Sequence, residues 1–173
     1  MSPALSTADL PVRTSALPDQ LFTGSSAPSA DRMAAIVNAG WTKPNGGMWT
    51  STRTGPGNSE WVAFCEREYP DGLAVATCRV TLHVCPDARI AEIDNAADLA
   101  ELLVAYPAHG LDGQLRLDFE AMAVDFDGLH LTDNGESETR SGYSGHSLYS
   151  WDFESTLWFR WAFVGPGTTA IAP

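Results

Sequence analysis

The chain has 173 residues, 44% of them hydrophobic, with 22 acidic side chains against 10 Lys and Arg and a formal charge of −12. That length suits one domain with its own core. The charge disfavours nucleic-acid backbones and anionic lipid surfaces as partners, and the absence of a signal-like leader or a membrane-length apolar run predicts a soluble, cytoplasmic-type protein. Residues 1–20 carry three prolines and many small polar residues without a sustained period, which predicts an extended or flexible arm, open to ordering on an assembly partner. The domain is expected over residues 21–164, with 165–173 as a loop-like tail. "LFTGSS" (21–26) reads as a strand entering a turn. "ADRMAAIVNAG" (30–40) then places Met33, Ile36 and Val37 on one helical face, with Ser29 as N-cap and Gly40 as terminator.

Pro44, Asn45, Gly46 and Gly47 mark a turn into the strand "GMWTST" (47–52). "SEWVAFCERE" (59–68) has the spacing of a short helix. The Val-, Ile- and Thr-rich run that follows predicts strands over 73–84 and 88–93. "DNAADLAELLVAYP" (94–107) predicts a helix capped by Asp94 or Asn95, lined by Leu99, Leu102, Leu103 and Tyr106, and stopped by Pro107. A short helix is expected in "LDFEAMAVDF" (117–126) and a strand in "DGLHLTD" (127–133), ended by an Asn134-Gly135 turn. "ESTLWFRWAFV" (154–164) reads as an apolar strand buried on both faces. The mixture of short helices and scattered strands points to α+β, with mixed and mainly antiparallel sheets.

Most chemistry motifs are absent. The histidines at 83, 109, 130 and 146 are neither four residues apart nor beside a cysteine pair, so no metal site is suggested. Cys65, Cys78 and Cys85 have no CxxC spacing and read as reduced thiols. There is no nucleophile elbow and no phosphate-cradling glycine loop. What remains is Asp152 and Glu154 at the mouth of the last strand, among Tyr149, Trp151, Phe153 and Trp158 and after a Gly- and Ser-rich loop (141–147). On a strand, residues two apart share a face. The pair therefore reads either as a solvated strand end or as a carboxylate dyad suited to a sugar hydroxyl and an oxocarbenium-like charge.

Taken in order, "LFTGSSAPSADRMAAIVNAGW", "GGMWTST" and "DFESTLWF" resemble the three segments of the ADP-ribosyltransferase fold, over about Leu21 to Phe163. The resemblance implies an NAD-consuming transferase acting on a macromolecular acceptor. It makes Glu154 the catalytic glutamate and puts Asp152 at the upstream position that helps select the acceptor. Thr23 and Gly24 become the first NAD-holding motif, and Trp49, Thr50 and Ser51 the second. The family has His or Arg where this chain has Thr23, and a longer side chain where it has Asp152. Two other readings use the same features. One is a structural or interaction protein of a phage particle or other assembly, since the Lys-poor composition resembles proteins of high-GC actinobacteria and their phages. The other is a small-molecule or sugar-binding module without turnover.

Overall fold

The computed structural model describes residues 10–12, 16–141, 147–165 and 170–171. Parts of the expected arm and tail, and most of the 141–147 loop with His146, lie outside the described residues. The chain forms the expected α+β arrangement, with short helices and mainly antiparallel pairing. Ten strands are described: β1 (Gln20–Gly24), β2 (Met48–Gly55), β3 (Asn58–Ser59), β4 (Cys78–Leu82), β5 (Ile90–Ile93), β6 (Pro107–His109), β7 (Leu115–Leu117), β8 (Gly128–Leu131), β9 (Ser155–Trp158) and β10 (Ala170–Ile171). The main sheet runs β10-β4-β1-β2-β9-β8-β5, with β3 on β2. Its β5–β8 pair is parallel, and β6–β7 is a separate hairpin.

The helices are α1 (Glu60–Glu68), α2 (Pro70–Val75), α3 (Ala96–Ala105), α4 (Phe119–Asp125) and α5 (Asp133–Thr139). Their starts obey local chemistry. The Ser59 side chain caps α1 by accepting from Val62 N–H, and Asn95 and Asp98 form a reciprocal capping box at α3. Alternation along β9 divides the interior. Leu157 lies in one core with Leu129, Leu131, Leu102 and Met122, and Trp158 in a second with Met48, Val80 and Leu82. All four β9 residues are buried, as the apolar run suggests.

Several local expectations give way to tertiary contacts. The helix expected over 30–40 shrinks to a single 3₁₀ turn, Ala30–Arg32. Gly47 N–H takes the Ala34 carbonyl, and Val37 exchanges backbone bonds with Asn45, so the donors and acceptors of a longer helix are used elsewhere. Gly46 and Gly47, both at positive φ, turn that segment into β2. The strand expected from 73 begins only at Cys78, because Pro70 at a first-turn position starts α2. Asn134-Gly135 lies inside α5 and makes no turn. There the Thr132 hydroxyl accepts from Gly135 N–H, and a Cβ on Gly135 would stand 2.1 Å from the Ile93 carbonyl oxygen. The last apolar run does not continue as one strand. After Trp158 the chain leaves β9, and Ala162–Val164 pairs with 83–85. The short strand Ala170–Ile171 extends β4 where a loop-like tail is expected.

Residues 10–12 and 16–19 lie along the body. Val12 bridges Ala91, Leu10 is buried in the first core and Leu17 in the second. Among the described residues no helix is long and apolar enough to cross a membrane.

Candidate functional site

β1 and β2 pair through two register positions only, Gln20↔Thr52 and Leu21↔Ser51, whereas β1 follows β4 through five, as far as Gly24↔Cys78. Beyond Leu21 and Ser51 the two strands part. A cleft of about 280 Å³ opens at this seam. Leu21 and Thr23 of β1, Trp49, Thr50 and Ser51 of β2, and Ser155 of β9 line it. Trp61 of α1 and the segment Trp151-Asp152-Phe153 complete its walls, and Lys43 stands among the lining residues from the loop before β2.

The walls are aromatic and braced. Trp49 meets Trp151 edge-on at 4.6 Å between ring centres, and Trp61 and Phe64 meet Phe153 at 5.1 and 5.3 Å. Trp151 is fixed by its indole N–H on the Thr42 carbonyl, at 2.9 Å. Lys43 Nζ lies 5.4 Å from the Trp49 ring centre. Burial pulls its pKa below the ordinary lysine value, and the negative charge of Asp152 offsets part of that. The Thr23 hydroxyl oxygen is buried with no hydrogen-bond partner among the described residues.

Five of the residues singled out in the sequence thus line one cleft: Thr23, Trp49, Thr50, Ser51 and Asp152. Gly24 and Glu154 are not among the lining residues. Gly24 ends β1, and a Cβ there would stand 2.7 Å from the Phe22 ring. Glu154 sits one layer behind, 6% exposed. Its carboxylate accepts from the Ser51 hydroxyl at 2.7 Å, the Thr52 N–H at 2.9 Å and the Thr52 hydroxyl at 2.8 Å. Burial raises the Glu154 pKa above its ordinary value, against the pull of these three donors, and Asp133 adds a smaller push upward.

The shared strand face expected for Asp152 and Glu154 is therefore corrected. β9 begins at Ser155, so no strand face carries both carboxylates. Asp152 turns to Arg140 at 3.3 Å while Glu154 turns to β2.

A buried polar chain supports this arrangement from behind. Trp158 indole N–H donates to the Thr50 hydroxyl at 2.8 Å, and that hydroxyl donates to the Gln20 amide oxygen at 2.7 Å. The Gln20 amide nitrogen donates to the Thr52 hydroxyl at 3.3 Å, which continues to Glu154. His130 lies 3.6 Å from Glu154 and 2.9 Å from the Thr156 hydroxyl. Lys43, Trp61, Thr52, Gln20 and His130 went unmarked in the sequence as site residues. None belongs to a motif, and only the fold brings them to Glu154 or the cleft. Ser51 joins the two layers: it lines the cleft, donates to Glu154 and accepts from Trp61 N–H at 3.4 Å.

A scan of protein-family models and searches of curated proteins and of solved structures give no match to this chain.

Proposed function

We propose that the cleft at the β1–β2 seam binds NAD and supports transfer of ADP-ribose to a macromolecular acceptor. One observation carries this reading. The three segments 21–24, 49–51 and 152–154, far apart in sequence, meet at one seam, and Ser51 links the cleft to the buried Glu154. At about 280 Å³ the cleft is smaller than a typical pocket for a drug-sized ligand of about 300–1,000 Å³. It suits the ring-and-ribose end of the dinucleotide, with the remainder outside.

The planar ring lies against the Trp49 and Trp61 walls. A ribose hydroxyl takes the place of the Ser51 hydroxyl on Glu154, whose carboxylate then faces the positive charge that develops as the glycosidic C–N bond breaks. Nicotinamide leaves with the bonding pair, the acceptor's nucleophile bonds to the anomeric carbon, and Asp152 takes the acceptor's proton.

The test is paired. NAD affinity is measured by titration and nicotinamide release by chromatography, for the wild type and Glu154→Gln. Release is expected to fall about a hundredfold or more in the variant, with affinity kept. Absence of both binding and release removes the reading. A second reading, binding without turnover, is favoured by the three donors that already occupy the Glu154 carboxylate. It predicts NAD binding with no nicotinamide release above the buffer rate from either protein.

A further inference from the structure

Nine of the ten Lys and Arg residues are arginine, and Lys43 is the one lysine of the chain. It is partly buried, and it lines both the cleft and a wider groove of about 590 Å³. The backbone on either side of it is pinned. The Thr42 carbonyl takes the Trp151 indole N–H, the Thr42 hydroxyl bonds that of Ser150, and Asn45 exchanges two backbone bonds with Val37. The amine itself makes no hydrogen bond or ion pair with any described residue. Its Nζ stands 5.4 Å from the Trp49 ring centre. A fully hydrated or salt-bridged lysine holds its proton and is a poor nucleophile. Here burial shifts the amine toward its free base, and the charge of Asp152 undoes only part of that.

The surroundings select the electrophile. The cleft walls carry the rings of Trp49, Trp61, Trp151 and Phe153, and the volume of about 280 Å³ admits only a small body. Lys43 and Asp152 are the only charged side chains among the lining residues, so a carboxylate or phosphate on the ligand would lose its one cation as the amine reacts. We propose that Lys43 captures a small, flat, uncharged aldehyde as a Schiff base, with the aldehyde's ring against the aromatic walls. The amine nitrogen bonds to the carbonyl carbon, the C–O bond breaks in turn, and the oxygen leaves as water with the two amine protons. On taking up a proton the imine becomes a cation, which the Trp49 ring and the Asp152 carboxylate both favour. This chemistry is independent of the NAD reading, although both would use the same cleft.

The probe is benzaldehyde, added to the full chain at neutral pH without NAD, so that failure here is separate from failure of the transferase reading. Adducts are fixed with sodium cyanoborohydride, and peptide mass mapping separates Lys43 from the α-amino group. Nα-acetyl-lysine in the same tube is the reference amine. Lys43 is expected to react about tenfold faster than the reference or more, at a rate that saturates with benzaldehyde, because the aldehyde is bound beside the amine before it condenses. Glyoxylate, small and anionic, is expected to lose most of that advantage. Trp61→Leu, which leaves Lys43 and its pinned backbone alone, is expected to raise the half-saturating benzaldehyde concentration about fivefold. Reaction at the reference rate, a rate that stays linear in benzaldehyde, or an equal advantage for glyoxylate overturns the proposal, and none of these measurements needs a variant. So does an unchanged half-saturation in folded Trp61→Leu.

Discussion

At the residue scale, Glu154 has its acidity set by where it sits. Its carboxylate is buried yet fully bonded, and burial outweighs the three donors in moving its pKa upward. The folded state therefore binds this proton more tightly than the unfolded chain does. Stability contributed here is present below the ordinary value of 4.5 and falls as pH rises from there through the raised value. Glu154→Gln removes that titration and keeps an acceptor for Thr52 N–H. Its stability is expected within about 1 kcal/mol of wild type near neutral pH, with a flatter profile across the mildly acidic window, measured by urea melts over pH. Glu154→Ala leaves the Thr52 N–H, the half-buried Thr52 hydroxyl and the buried Ser51 hydroxyl without their acceptor and is expected to cost about 1–3 kcal/mol. If Gln and Ala cost the same, the carboxylate is not organising β2. The importance of position 154 was legible from an acid beside a core strand. Its partnership with Thr52, and its separation from Asp152, were not, because both depend on where β9 begins.

At the scale of elements, the sequence spoke most clearly where local chemistry decides. The Asn95–Asp98 capping box and the Leu99, Leu102 and Leu103 face make α3 readable without any neighbour. The 30–40 segment had a comparable apolar spacing, but Ile36 is buried while Val37 is half exposed, and its backbone is claimed by 45–47. Periodicity cannot report that competition. Asn134-Gly135 misleads for another reason. Gly135 stands in the first turn of α5 because of space, with no need for a positive φ: the Ile93 carbonyl oxygen would lie 2.1 Å from any Cβ. Gly135→Ala should gain helix propensity of about 1 kcal/mol in isolation. In the protein it is expected to lose about 1–3 kcal/mol as α5 is pushed off β5, seen as a lowered Tm. A raised Tm would mean that α5 yields without cost.

At the scale of the whole molecule, the stretches 10–12 and 16–19 serve two interiors. Leu10 is buried with the α3 and α4 side of the sheet and Leu17 with the Trp158 side. Leu10→Ala and Leu17→Ala are each expected to cost about 2–5 kcal/mol in denaturant melts. Values near zero would show that these stretches are dispensable to the fold. The continuous apolar run made the buried β9 predictable, and composition made residues 1–20 read as an extended or flexible arm. The two leucines that hold the segment down are too widely spaced to form a periodic signal.

The short seam between β1 and β2 also has a mechanical side. β10, β4 and β1 form one leaf, and β2, β9, β8 and β5 another, stitched by two register pairs and by the Thr50–Gln20–Thr52 side-chain chain. A junction so narrow leaves most of the joining to the second core, where Met48 and Trp158 of one leaf pack with Val80 and Leu82 of the other. A ligand wedged at the seam would stiffen the whole sheet without touching most of it. Slowed amide exchange at Leu21 and Ser51 would be its earliest trace.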